Sequence, residues 1–236
     1  MELLVSGSRW RLLAPLDGYS RPRGAGLATQ ATAGRCLEVL QAARPPGSRL
    51  QVRLLEDGYS CWLEAGELIG RAVAAARPLP RLLTAAAIQA RLPSVLAFAT
   101  SAAAQPNHYL WGGTTGPHYD CSGLIQSAFA QAGIWIPRDA YQQERFCQPV
   151  AVRPSTLTLL QPGDLIFFGR PQRCTHVALH LGSGHYLHSS GCDHGRNGLG
   201  IDQLAPSDRH PVASHYRREL RGAGRVIRCH DGSPLP

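Results

Sequence analysis

The chain has 236 residues, of which 44% are hydrophobic and 17% charged, so it can bury a core and does not resemble a disordered protein. The formal net charge is +8, but the basic residues are scattered along the chain, which argues against a nucleic-acid partner. No apolar stretch approaches the roughly 20 residues of a membrane span, so we expect no membrane partner either.

The cysteines and the first residues of the sequence predict a compartment. The seven cysteines form no CxxC pair and show no regular spacing, so reduced thiols are expected instead of a disulfide framework. Residues 1–16 lack the compact apolar block and small-residue cleavage site of a signal peptide. We therefore expect a cytoplasmic location.

The N-terminal region has the pattern of a small β domain. Between positions 10 and 68 the apolar runs are short and broken by turn residues, as in a barrel of short strands. Residues 50–55 and 59–63 flank an acidic turn with a glycine and are predicted to form a hairpin. The Ala- and Arg-rich residues 76–91 follow as a predicted connector.

The rest of the chain changes from helical to strand patterns. Apolar spacing predicts one helix after Pro93 and a second from Cys121 to Gln131, closed by Gly133 in the left-handed conformation. Strands are predicted at residues 165–168, 177–181, 186–190 and 226–229. Helices followed by strands predict an α+β domain. The predicted divisions are a first domain at 1–75, a linker at 76–91 and a second domain at 92–236.

A polar loop places Cys121 at the N-terminus of the second helix. There the unpaired backbone N–H groups and the positive end of the helix dipole favour a thiolate, and the same groups can stabilise an oxyanion. A peptidase also needs a proton donor for the leaving amine, and imidazole fits that task near neutral pH. His176 and His188 are the candidates.

His176 and His188 lie 12 positions apart on two predicted strands. Facing residues of a hairpin share a side, so the two imidazoles lie on one face only if the sum of paired residue numbers is even. A strict two-residue turn at Gly182-Ser183 would put them on opposite faces. We therefore predict a three- or five-residue loop with a glycine in the left-handed conformation.

Several short motifs follow one another in the second half of the chain. They are YLWGG, DCSGL, IPRDAYQQ, LQPGDLIFF, HVALHLG and YLHSS. In this order they resemble the NlpC-type cell-wall cysteine peptidases, which are papain-like enzymes with a Cys-His-His triad. The resemblance covers roughly residues 92–232 and implies Cys121 as nucleophile, His176 as general base and acid, and His188 as the polar third member. It also implies that Tyr109 aids the oxyanion or the substrate.

The segment EDGYSCWLEAGEL, residues 56–68, and the domain order resemble a narrower group. These are the γ-D-glutamyl-L-diamino-acid endopeptidases of cyanobacterial and Bacillus type, in which a small all-β SH3-like barrel precedes the papain-like α+β domain. There the barrel narrows the cleft to muropeptides with a free N-terminal L-alanine. Tyr59 and Asp120 occupy the matching places and Ser122 is a further candidate, since a carboxylate can pair with the ammonium group. An acid of the N-terminal domain that binds this amine stays open among Glu56, Asp57, Glu64 and Glu67.

Other roles are possible for several of these residues. Asp120 could do no more than cap the helix, and Tyr59 could be a packing residue of the barrel. The histidines and cysteines between positions 174 and 194 could form a zinc site. Strand alternation turns His185 away from His188, however, and no CxxC pair supports such a site. We therefore predict no metal and no cofactor.

The residues and the resemblance together predict a cytoplasmic cysteine endopeptidase. Its predicted substrate is a peptidoglycan-derived peptide, L-Ala-γ-D-Glu-diaminopimelate, cut at the γ-D-glutamyl to diamino-acid bond during murein recycling. The alternatives are a catalytically inactive peptidoglycan-binding or scaffold protein and a papain-like amidase acting on another amide. The complete set of Cys121, His176 and His188 argues against the inactive alternative.

Overall fold

The computed structural model describes residues 3–43 and 48–233. The N-terminal part is a seven-stranded antiparallel sheet, and the C-terminal part has helices packed on a six-stranded antiparallel sheet. An all-β region followed by an α+β region confirms the predicted fold class. None of the helices within the described ranges is long and apolar enough to cross a membrane.

The first sheet contains the predicted hairpin. Its strands are β1 (Arg9–Leu12), β2 (Leu16–Tyr19), β3 (Leu27–Ala31), β4 (Cys36–Gln41), β5 (Arg49–Leu54), β6 (Ser60–Glu64) and β7 (Ala72–Ala74), with the short helix α1 (Ala65–Leu68) before β7. They are hydrogen-bonded in the order β3-β2-β6-β5-β4-β1-β7. In the hairpin of β5 and β6, Leu50 faces Leu63. Alternate residues of a strand point to one side, so Leu50, Val52 and Leu54 are buried together in the core of this region.

The predicted connector contains a short helix. Helix α2 (Ala85–Gln89) lies near the end of residues 76–91. Ile88 of this helix is buried in the core of the C-terminal region, so the last part of the connector packs with that region. The domain limits of 1–75 and 92–236 stay a prediction.

The second region carries two layers of helices around its sheet. Its helices are α3 (Leu92–Ala103), α4 (Cys121–Gln131), α5 (Ala140–Phe146) and α6 (Pro211–Arg218). Its strands are β8 (Gln148–Val150), β9 (Leu165–Arg170), β10 (Arg173–Gly182), β11 (His185–Ser190), β12 (Gly198–Gln203) and β13 (Leu220–Arg225), in the order β12-β11-β10-β9-β13-β8. The two predicted helices are confirmed as α3 and α4, and Gly133 follows α4 with a φ of +74°. Val177 and Leu187 share a core with α3 and α4, whereas Ala178 and Tyr186 share a core with α6.

One predicted strand is wrong. Residues 226–229 are not in a strand, and the strand at this end of the chain is β13, directly before them. β13 lies between β9 and β8, and a Cβ added to its Gly224 would lie 2.5 Å from the Cβ of Cys147. Position 224 therefore has to be glycine, because the Cys147 side chain leaves no room for a Cβ. A glycine within a strand weakens the alternating pattern from which strands are predicted, so β13 was not recognised in the sequence.

Candidate active site

Cys121 is the first residue of α4, and Asp120 is the N-cap. The Asp120 carboxylate accepts a hydrogen bond of 2.7 Å from the Gly123 N–H, which satisfies one of the free donors at the start of the helix. A Cβ at Gly123 would lie 2.0 Å from the carbonyl oxygen of Gly113. The first turn of α4 is thus held tightly against the preceding loop, and Cys121 is fixed at its tip.

The protonation state of Cys121 is the reverse of what the helix start predicts. Burial, and then the Asp120 charge, raises the pKa of the thiol to about 12, although the N–H groups of Ser122 and Val177 donate to the sulfur. Burial also lowers the pKa of His176. The resting site therefore holds a neutral thiol and a neutral imidazole, because desolvation outweighs the N–H groups that favour the thiolate.

His176 on β10 and His188 on β11 are in direct contact. Nε2 of His176 lies 2.7 Å from Nδ1 of His188, and both side chains are buried. The rings meet edge to face, with their planes at 86°. The prediction that the two imidazoles share one face of the sheet is confirmed.

The predicted length of the loop between the two histidine strands is wrong, whereas its glycine in the left-handed conformation is confirmed at Gly184. Gly182 pairs with His185, so the turn between them has two residues, whose φ values are +51° and +78°. A register shift follows, and Leu179 then faces Leu187. The extra residue of this bulge changes the sum of paired residue numbers from odd to even. The bulge thereby places His176 and His188 on the same face, as the predicted longer loop would have done.

Two residues that the sequence analysis missed complete the surroundings of the histidines. Asp202 on β12 lies 2.7 Å from Nε2 of His188 and accepts a 2.6 Å hydrogen bond from Arg196. Tyr216 on α6 stacks on the His176 ring, with centroids 4.1 Å apart and planes at 23°. Asp202 lies in the glycine-containing strand GLGIDQ and Tyr216 in a helix that was not predicted. The available sequence signal was an acidic residue shortly after the His188 strand.

Asp120 also forms a buried ion pair with Arg138. Oδ2 of Asp120 lies 2.6 Å from Nη2 of Arg138, and the two side chains are 9% and 2% exposed. Arg138 donates a second hydrogen bond to Oδ1 at 3.2 Å, and the Gly112 N–H donates to Oδ2 at 2.8 Å. With the cap to Gly123, both oxygens of Asp120 are engaged, so little acceptor capacity is left for a substrate ammonium group.

A cavity of about 600 Å³ opens at Cys121. Five of the predicted site residues line it, namely Tyr59, Tyr109, Asp120, Cys121 and Ser122. Neither His176 nor His188 belongs to the lining. Burial raises the pKa of both Tyr59 and Tyr109, so both remain phenols that can donate a hydrogen bond.

The cluster of histidines weighed as a zinc site has other contacts. Nδ1 of His180 lies 2.9 Å from the Gln161 carbonyl, and its Nε2 accepts from the Gly184 N–H at 3.2 Å. His180 therefore braces the turn between β10 and β11. Among residues 3–43 and 48–233, no group of three or more His, Cys, Asp or Glu side chains is arranged to hold a metal ion.

Comparison with known proteins identifies both regions of the chain. Residues 106–216, which contain Cys121, His176 and His188, match the NlpC/P60 family. The chain carries an NlpC/P60 domain. Residues 18–68 match the bacterial dipeptidyl-peptidase Sh3 domain, so the resemblance drawn from the motifs is confirmed for both regions.

Several named proteins are similar to part of this chain. Gamma-D-glutamyl-L-lysine dipeptidyl-peptidase of Bacillus cereus is 43% identical over 84 residues, which are 34% of this chain and 24% of that protein. Dipeptidyl-peptidase 6 of Lysinibacillus sphaericus is 36% identical over 112 residues, which are 48% of this chain and 35% of that protein. This chain thus spans about a third or less of the relatives it matches. The structure of NlpC2 from Trichomonas vaginalis has the same fold, with a TM-score of 0.51, 15% identity, and coverage of 94% of this chain and 99% of that one.

The Sh3 domain is hydrogen-bonded to the NlpC/P60 domain near Tyr59, which lines the cavity. Asp57 accepts hydrogen bonds from Arg35 at 2.6 Å and from the Tyr59 N–H at 3.1 Å, both within the Sh3 domain. It also accepts a 2.7 Å hydrogen bond from Gln126 on α4. The backbone of Tyr59 is thereby tied to the helix that begins with Cys121.

Proposed function

We propose that the chain is a cysteine endopeptidase that cuts the γ-D-glutamyl to L-diamino-acid bond of peptidoglycan stem peptides with a free N-terminal L-alanine. The observation that carries this proposal is the position of Cys121. It lies at a helix N-terminus in a cavity, with its sulfur accepting from the N–H next to His176. A nucleophile, a base and a site for substrate therefore occur together.

Catalysis begins with transfer of the Cys121 proton to His176, because both groups are neutral at rest. The sulfur then attacks the γ-carbonyl carbon of the D-glutamyl residue, and the carbonyl oxygen becomes an oxyanion. Tyr109 lines the same cavity as a protonated phenol and can donate to that oxygen. The imidazolium of His176 gives its proton to the departing amine of the diamino acid. The C–N bond breaks as the amine leaves, and the D-glutamyl group remains on Cys121 as a thioester. Water, deprotonated by His176, attacks this thioester, the C–S bond breaks to release the D-glutamyl carboxylate, and His176 returns the proton to the sulfur.

In this proposal, residues on the Sh3 side of the cavity select substrates with a free N-terminus. Tyr59 and Ser122 line it together with Asp120, whose oxygens are engaged by Arg138 and backbone N–H groups. In our proposal the hydroxyl of Tyr59 and the remaining lone pair of the Ser122 hydroxyl, which already accepts from Arg138 at 2.9 Å, accept from the substrate ammonium. Asp120, whose charge is balanced by Arg138, accepts from Ser122 at 3.3 Å and so orients that hydroxyl. An N-acetyl group would remove the ammonium charge and add bulk in the same place.

The relatives support this choice of bond. The matching proteins of Bacillus cereus and Bacillus subtilis both bear the name Gamma-D-glutamyl-L-lysine dipeptidyl-peptidase, with identities of 43% and 40%. That name describes a γ-D-glutamyl bond to a diamino acid.

We also propose a cytoplasmic location, in which the chain would cut imported wall fragments as part of murein recycling. All seven cysteines, which lie in the described ranges, are free thiols and Cys192 is exposed, as suits a reducing compartment.

The test compares two substrates and three proteins. L-Ala-γ-D-Glu-diaminopimelate, free and N-acetylated, is incubated with the wild type, with Cys121→Ala and with Cys192→Ala as the matched exposed-thiol control. We expect cleavage of the free peptide by the wild type and by Cys192→Ala, and none by Cys121→Ala. Cleavage that persists in Cys121→Ala would contradict the nucleophile, equal cleavage of both peptides would contradict the specificity, and tight binding without turnover would favour the scaffold alternative. Fractionation of cells that express the chain, with detection by antibody, tests the location.

A further inference from the structure

Asp202 is a buried carboxylate next to the histidine pair, with no part in the chemistry described above. It is 5% exposed, and its Oδ2 lies 2.7 Å from Nε2 of His188. Its Oδ1 accepts from Arg196 at 2.6 Å and lies 3.6 Å from Nδ1 of His210. One carboxylate therefore joins His188 to two basic side chains from outside the sheet.

The sheet itself determines this contact. On β12, Gly200 faces His188, and Asp202 lies two positions further along, so its side chain is on the same face as His188. A Cβ at Gly200 would lie 1.9 Å from Nη1 of Arg196. The glycine opposite His188 thus leaves the space through which the guanidinium group reaches Asp202.

Asp202 stays ionised in this position. Burial alone would raise the pKa of its carboxyl, but the hydrogen bonds and charges of His188 and Arg196 together outweigh burial and lower that pKa. Burial also lowers the pKa of His188 in spite of the nearby carboxylate, so the imidazole is neutral. An ionised carboxylate can only accept hydrogen bonds, and a neutral imidazole carries a single N–H.

These two facts determine the position of every ring proton. Facing the carboxylate, His188 must carry its proton on Nε2, which leaves Nδ1 as an acceptor. His176 meets that acceptor through its own Nε2 at 2.7 Å, so its proton is on Nε2 as well. Nδ1 of His176 is then the unprotonated nitrogen.

We propose that Asp202 is a positioning residue that sets the tautomers of both imidazoles and thereby makes Nδ1 of His176 the base that receives the Cys121 proton. This inference rests on the proposed function, in which His176 is that base. Arg196 supports it by holding the other carboxylate oxygen. Asp202 itself does not touch the substrate.

Replacement of Asp202 by asparagine would move the ring proton of both His188 and His176 from Nε2 to Nδ1. Arg196 can only donate, so it would attract the amide oxygen of Asp202→Asn and turn the NH₂ group toward Nε2 of His188. His188 would then carry its proton on Nδ1 and donate to Nε2 of His176. The proton of His176 would move to Nδ1, where it blocks uptake of the Cys121 proton.

The experiment combines kinetics with ¹⁵N spectra of labelled histidines in the full chain. We expect both histidines of the wild type to be protonated on Nε2, and both to be protonated on Nδ1 in Asp202→Asn. The kcat of Asp202→Asn should fall by about 10²–10⁴-fold while KM changes little, since a reversed tautomer removes the base and not the binding site. The exposed Asp193→Asn serves as the matched control and should keep the wild-type spectra and kcat.

The tautomers can also be tested without a peptide substrate. In a Cys192→Ala background, the rate at which iodoacetamide alkylates Cys121 reports whether His176 can accept the proton, and Asp202→Asn should lower it at least tenfold. If the wild type cleaves no γ-D-glutamyl peptide but shows both Nε2 tautomers and this loss of alkylation, the positioning role is supported and only the proposed function fails. His188 protonated on Nδ1 in the wild type would overturn the positioning role, whether or not Asp202→Asn folds. Wild-type tautomers and kcat in Asp202→Asn would overturn it too.

Discussion

Replacing Arg138 with methionine removes a buried cation that joins the start of α4 to the Sh3 domain. Its guanidinium lies 2.6 Å from Asp120, donates to Ser122 at 2.9 Å and donates to Thr29 of the Sh3 domain at 3.2 Å. Methionine has a similar length and can fill much of the same space. The main loss in Arg138→Met is therefore the charge and its hydrogen bonds.

The expected cost follows from burial. The side chains of Arg138 and Asp120 are 2% and 9% exposed, so the variant leaves a carboxylate without its counter-charge and largely out of contact with water. Loss of one partner of a buried pair costs about 3–5 kcal/mol. The backbone N–H groups of Gly112 and Gly123 still donate to Asp120 and favour the lower end of that range. We expect Arg138→Met to lower the free energy of unfolding by about 3 kcal/mol.

Guanidinium unfolding of the wild type, Arg138→Met, Asp120→Asn and the double variant measures this contribution. Removal of both charges should cost less than the sum of the single changes by about 1–3 kcal/mol, because neither charge is then left alone. Arg9→Met is the matched surface control. Arg9 is 40% exposed and lies 3.8 Å from Glu38, so its loss should cost at most about 1 kcal/mol. A loss below about 1 kcal/mol in Arg138→Met, or additive single changes, would refute a strongly coupled buried pair.

Two further predictions concern pH and the start of α4. Burial lowers the pKa of His176 and His188, so the unfolded chain takes up protons below about pH 6.5 that the folded chain refuses. The free energy of unfolding should therefore fall as pH decreases below that value, by up to about 1.4 kcal/mol per pH unit for each histidine. Thermal unfolding at several pH values should show that the stability of His176→Asn depends less steeply on pH than that of the wild type. An equal dependence on pH would contradict a neutral buried His176. Gly123→Ala forces a Cβ to within 2.0 Å of the Gly113 carbonyl and should lower the unfolding midpoint and kcat, whereas Gly66→Ala, with nothing within 4 Å, should do neither. Equal midpoints for the two alanine variants would show that the loop can move away from α4.

Local sequence rules were enough to predict helix α4, which carries the nucleophile, and the hairpin of β5 and β6. Helix α4 begins and ends at the predicted residues, because its cap at Asp120 and its closing Gly133 act within a few positions of the helix. The motifs likewise placed His176 and His188 on neighbouring strands. Strand β13 was missed because the chain that packs against Gly224 belongs to a distant segment.

Contacts between distant segments decided the rest of the site. Asp202 reaches His188 because β12 is hydrogen-bonded to β11. A short sequence motif predicts neither the order of the strands nor their register, so this contact could not be predicted. Arg138 engages Asp120 from 18 positions away, which leaves Asp120 a cap and ion-pair partner. Burial, which exists only once the layers have packed, makes Cys121 a neutral thiol in spite of its place at a helix N-terminus. Residue types and local spacing thus determined which groups are present, whereas packing determined their partners and their protons, because desolvation and strand pairing depend on the whole fold.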